Sequence, residues 1–213
     1  MVGRAIRAAG IPRADLFISG NVWKSSYGAV PAAVAGMLAR LGTDYLDVAG
    51  LHSPHTTGWD VPHWESAIGE FSELAAQGII RGHSVSNFTV AHMNRAVELT
   101  GLPIEIAQMA FSINYQQEVT AEFRRFCAAR GIQIVAYRPL QPDVMANPYV
   151  QAVASAHRAT PAQVALAWTI QMGTLPITKT VRIDRIAENM AAPRLRLTDA
   201  ELELLRLSPA ASS

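Results

Sequence analysis

The 213-residue sequence predicts an α/β fold of about six β/α units, arranged as an incomplete TIM-type (β/α) barrel. Three observations predict it. Short apolar, β-prone runs alternate with helical patterns almost without interruption, which implies a parallel sheet. No glycine-rich phosphate fingerprint follows the first run, which weighs against an open doubly wound sheet. Each run also ends in a polar or special residue: Asn21, His52, Ser86–Asn87, Gln108, Tyr137 and Lys179. Functional groups at the C-terminal ends of successive strands are the arrangement of a barrel.

The elements follow in order. Met1–Ala9 reads as a helix stopped by Gly10 and Pro12, and Leu16–Trp23 as a strand. Val30–Leu41 has helical apolar spacing and stops at Gly42; Tyr45–Leu51 is a strand. Pro62–Gln77 is a helix ended by Gly78, Gly82–Ser86 a strand, and Thr89–Leu99 a helix ended by Gly101. Ile104–Met109 is a strand, Val119–Ala129 a helix and Ile132–Tyr137 a strand. Pro148–His157 and Pro161–Gln171 are helices, the second with Thr160 as N-cap and Pro161 in the first helical position. Leu175–Thr178 is the last strand, followed by helices at Ile183–Met190 and Ala200–Leu207. With no repeats and no linkers, residues 1–207 read as a single domain and 208–213 as a tail.

Composition narrows the function classes. Half the residues are apolar, enough for a sizeable core. A formal net charge of +1 gives no case for nucleic acid or an anionic membrane as a partner. No apolar run approaches the roughly 20 residues that span a bilayer, and the N-terminus has no signal-peptide apolar stretch. The single cysteine, Cys127, fits a reducing compartment, so a cytoplasmic location is expected. Cys127 reads as a small core residue, and no His/Cys/Asp spacing suggests a metal site.

Taken together, Tyr45–Pro54, Gly82–Phe88, Ile104–Gln108, Ile134–Leu140 and Leu175–Thr180 resemble the aldo-keto reductase superfamily. On that resemblance Met1–Ile6 matches the helix after the second barrel strand. The first two strands and the helix between them then have no counterpart here, and neither do the Asp and Tyr that belong on and after the second strand. The resemblance implies a carbonyl reductase that uses NADPH, with a Tyr acid, a Lys and an Asp that tune it, and a His that orients the carbonyl. In Phe17-Ile18-Ser19-Gly20-Asn21, Asn21 takes the place of the Lys; it can hydrogen-bond but carries no charge. Lys24 lies three residues on and would have to swing back to replace that charge. His52 is the one catalytic group kept, in Leu51-His52-Ser53-Pro54. Trp23, His55 and Trp59 fall where a substrate pocket is built. His83, by strand alternation, points away from Ser84 and Ser86 toward the helices, as a satisfied structural histidine.

The same resemblance assigns cofactor roles. Ser86, Asn87 and Gln108 would bond the nicotinamide carboxamide and Tyr137 would stack on its ring. Lys179, Thr180, Arg185 and Asn189 would hold the adenosine phosphate, through charge and the free N–H groups of a helix start. Thr178 replaces a proline of the pattern, Arg138 follows the stacking Tyr, and Gln141-Pro142-Asp143 stands where a glycine-rich pyrophosphate loop is usual. Three functions stay open. The leading one is non-redox acid–base chemistry (cyclisation, isomerisation or elimination) on a small molecule, using His52 and Asn21. The second is an NADPH-dependent carbonyl reductase completed by upstream or partner residues. The third is a non-catalytic NADP-binding subunit. Unpaired edges at Leu16–Trp23 and Leu175–Thr178, exposing Phe17, Ile18, Val22 and Trp23, predict a homodimer.

Overall fold

The computed structural model describes residues 2–55 and 63–208. The fold is α/β, with six strands in sequence order in a parallel sheet and helices between them. By its contacts the chain divides into two compact units, Met1–Ala107 and Gln108–Ser213.

The first unit runs α1 (Val2–Ala9), β1 (Ser19–Val22), α2 (Val30–Leu41), β2 (Leu46–Leu51), α3 (Trp64–Gly69), α4 (Phe71–Ala76), β3 (Ile80–Ser86) and α5 (Val90–Thr100). Strand β4 (Ile104–Ala110) begins in it. Local chemistry sets these limits. Helix α2 ends where Gly42 turns left-handed (φ 76°) and its N–H bonds the carbonyl of Leu38 at 2.8 Å. Helix α5 opens on a capping box in which Thr89 and His92 bond each other's backbone N–H. Strands β1 and β2 pair in parallel with Asn21 opposite Gly50, and β2 pairs with β3 with Gly50 opposite Ser84. Leu46, Val48, Leu51, Phe71, Val85 and Phe88 are buried in its core.

The second unit holds α6 (Ala121–Ala128), β5 (Gln133–Tyr137), α7 (Pro142–Ala146), α8 (Pro148–Ala156), α9 (Pro161–Gln171), β6 (Leu175–Pro176), α10 (Ile183–Ala191) and α11 (Asp199–Leu207). Its core centres on Trp168, whose ring lies 5.2 Å from that of Phe111 and whose Nε1–H donates to the carbonyl of Leu202. Cys127 is buried, and burial pushes its thiol up to about 11.

Several expectations need correction. The predicted helix Pro62–Gln77 is two helices, α3 and α4, joined at Glu70; Pro62 itself lies outside the described residues. Strand β1 is shorter than Leu16–Trp23, because the Asp47 carboxylate, rather than a neighbouring strand, accepts the Ile18 N–H at 2.7 Å. Strand β6 is cut to two residues, Pro176 having no N–H to give to a ladder. Gln141-Pro142-Asp143 starts a helix, α7, with Pro142 in its first turn. At the β1 edge Phe17 and Trp23 are exposed, but Val22 is fully buried and Ile18 half-buried. His83 does point to the helix side, with its ring 5.4 Å from that of Phe71 on α4. It is not satisfied: both ring nitrogens are buried without a hydrogen-bond partner, and burial lowers its pKa to about 4.

Candidate functional site

In the first unit the strand register gathers the candidate residues. Side chains two apart on a strand share a face, and residues opposite each other across a ladder share it too. Asn21, Gly50 and Ser84 therefore form one row, and His52 and Ser86 lie two residues further along on the same face. Gly50 is required there: a Cβ on it would come within 1.7 Å of the Ser84 carbonyl oxygen and 2.7 Å of its hydroxyl. Ser84 escaped the sequence reading, although its alternation with Ser86 was a usable signal. Its hydroxyl is buried and has no hydrogen-bond partner.

His52 follows the end of β2, where its N–H donates to the carbonyl of Val22 at 3.0 Å. Its ring packs against Trp23 at 4.0 Å between centroids, tilted by 50°. Burial, helped by the charge of Lys24, lowers its pKa, so the ring is neutral near pH 7. Its Nδ1 is buried without a partner. Asn87, left-handed at φ 61°, donates from Nδ2 to the carbonyl of His52 at 2.9 Å and to the Ser86 hydroxyl at 3.2 Å. It thereby ties the ends of β2 and β3 together.

A second support for His52 comes from Tyr27. Its phenol donates to the carbonyl of Ser53 at 2.6 Å and accepts the Ser53 N–H at 3.0 Å. Burial raises that phenol to about 12. So engaged, Tyr27 positions the loop and is no substitute for an acidic tyrosine. His55 is exposed and its ring meets His92 edge-on at 5.9 Å. Trp59 lies outside the described residues.

In the second unit Gln108 and Tyr137, on β4 and at the end of β5, are half-buried. Tyr137, Arg138, Gln141, Thr178 and Lys179 line a cavity of about 400 Å³. Leu140 and Lys179 also border a second cavity, of about 330 Å³, with Thr180, Arg185, Glu188 and Asn189. The Asn189 side chain donates to the Thr178 hydroxyl at 3.3 Å, and the Thr180 hydroxyl accepts the Arg182 N–H at 3.1 Å. At the start of α10 Arg182 pairs with Asp184. An anion here would meet the Lys179 and Arg185 side chains.

The sequence pattern of the Aldo/keto reductase family matches residues 1–207. The chain belongs to that family. An aldo-keto reductase of Mycolicibacterium smegmatis is 37% identical over 193 residues, which is 88% of this chain and 67% of that protein. Among solved structures, an aldo/keto reductase from Brucella melitensis is 28% identical with a TM-score of 0.84, over 96% of this chain and 78% of its own. A thermostable aldo-keto reductase crystallised with the inhibitor epalrestat gives a TM-score of 0.84 at 29% identity, over 96% of this chain and 75% of its own. Within this family member, no helix among the described residues is long and apolar enough to cross a membrane. No group of three His, Cys, Asp or Glu side chains among them is placed to hold a metal ion.

Proposed function

We propose that this chain is an NADPH-binding oxidoreductase of the aldo/keto reductase family that acts on a small carbonyl compound. The observation that supports it most is the pair of cavities sharing Lys179. One is lined by Tyr137, the other by Arg185, Asn189 and Thr180. An aromatic face and two cations suit a nicotinamide ring and a phosphate monoester. Bound NADPH supplies a hydride. The proton that completes the reduction would come from an upstream or partner segment, because the Tyr27 phenol is engaged with Ser53 and Asn21 is no acid. The neutral ring of His52 orients a carbonyl by hydrogen bonding. Trp23 packs on that ring, and Asn87 and Tyr27 fix the backbone that follows it.

One observation favours a second reading, non-redox acid–base chemistry on a small organic molecule. Asn21 faces the same side as His52, where the family resemblance puts a lysine. An amide cannot lower the pKa of a neighbouring acid by charge. The exposure of Phe17 (65%) and Trp23 (50%) supports the expected homodimer, to be tested by light scattering against the single-chain mass of 23.0 kDa.

Titrating NADPH while following its fluorescence, then adding a panel of aldehydes and ketones, tests the main reading. Binding with carbonyl-dependent NADPH oxidation upholds it. Binding without oxidation leaves a non-catalytic NADP-binding subunit. Conversion of a carbonyl compound with no cofactor present, seen by NMR, moves the assignment to acid–base chemistry.

A further inference from the structure

Arg138 stands out on three counts. First, its backbone is left-handed, φ 60°, a conformation rare for a residue with a Cβ. It also precedes Pro139, and a residue before proline is pushed toward the extended region. Backbone held in an unfavourable region gathers where a chain must present a group to a ligand. Second, Arg138 lines the 400 Å³ cavity beside Tyr137, Gln141 and Lys179. Third, it forms no salt bridge among the described residues, and neither do Lys179 and Arg185. The Tyr115 phenol, which donates to Glu118, lies within reach of its charge. Three cations thus border two adjoining cavities, and among the described residues Glu188 is the one acid on their walls.

A ligand that satisfies this row carries negative charge in both cavities. We propose that Arg138 binds the diphosphate bridge of a dinucleotide in the cavity that contains Tyr137. The second cavity takes the remaining phosphate. A guanidinium presents a rigid fork of donors that matches phosphate oxygens two at a time. That side chain does here what a glycine-rich loop does with backbone N–H groups, and helix α7, starting at Pro142, leaves no such loop after Leu140. The inference rests on the NADPH reading above and adds a residue to it.

The test compares two probes: NADPH, which has the diphosphate bridge, and adenosine 2′-monophosphate, which has neither of its phosphates. Arg138→Ala should weaken NADPH roughly 10- to 100-fold, the range for loss of charge-assisted hydrogen bonds. It should leave the monophosphate within about twofold, and Arg138→Lys should recover part of the NADPH affinity. Arg138→Gly, which suits the left-handed backbone, should repeat the alanine result in a chain free of folding defects. NADPH affinity unchanged in Arg138→Ala and Arg138→Gly overturns the proposal and leaves the NADPH reading standing. Equal loss for both probes also overturns it, because the effect is then not at the diphosphate. No NADPH binding by the unaltered protein removes both together.

Discussion

Replacing His83 by leucine should stabilise the protein, and the gain should grow as the pH falls. The His83 ring is wholly buried on the helix side of β3, against Phe71, and neither nitrogen has a partner. A buried polar group left without a hydrogen bond costs about 1–3 kcal/mol, and leucine fills a similar volume without that cost. Titration adds to this. In the unfolded chain a histidine takes up a proton near pH 6.5, whereas burial holds His83 neutral down to about 4. Between those values the unfolded state binds more protons, so stability falls as the pH falls. At pH 7.5 the effect is negligible. At pH 5 it reaches about 2 kcal/mol, from the 1.36 kcal/mol carried by each pH unit below 6.5. Urea unfolding of the wild type and His83→Leu at pH 7.5 and pH 5.0 measures both parts. The difference between the two proteins should be about 2 kcal/mol larger at the lower pH. Parallel losses in the two proteins would refute the assignment of His83 as a neutral, unpartnered core residue.

Three other perturbations probe the first unit and the core. Tyr27→Phe removes both bonds to Ser53 and strands that residue's buried polar groups, so a stability loss of about 1–3 kcal/mol is expected in thermal melts; a loss under 0.5 kcal/mol would show that the Ser53 groups find other partners. His52→Ala should abolish turnover of any substrate identified while NADPH affinity stays within about twofold, and full activity in the variant would move the chemistry elsewhere. Cys127, buried with its thiol raised to about 11, should resist a thiol reagent at pH 8 until the chain unfolds; rapid labelling of the native protein would contradict its core placement.

Helix limits were the most legible part of the sequence because capping is local chemistry. Val30–Leu41 and Pro161–Gln171 were read to the residue, from Gly42 at one stop and from Thr160 and Pro161 at one start. The placement of Asn21, His52 and Ser86 at the ends of their strands was legible from how each apolar run stops, whereas their shared face follows from the register. What was not legible depends on partners distant in sequence. Asp47 shortens β1 from 29 residues away, and the missing partners of His83 belong to packing rather than to pattern. Helix α7 was missed because Pro142 reads equally well as a turn residue and as a first helical residue.

Gly50 sets a rule for anyone wishing to reshape this protein. It lies between Asn21 and Ser84, at the centre of the row that any pocket-directed mutant library would sample. Even alanine there would drive a methyl group into the backbone of β3 and prise two strands apart, so diversity at position 50 yields unfolded chains rather than new specificities. Positions 21 and 84 flank it with side chains already pointing to the same side. Variation belongs there, over a floor that has to stay bare.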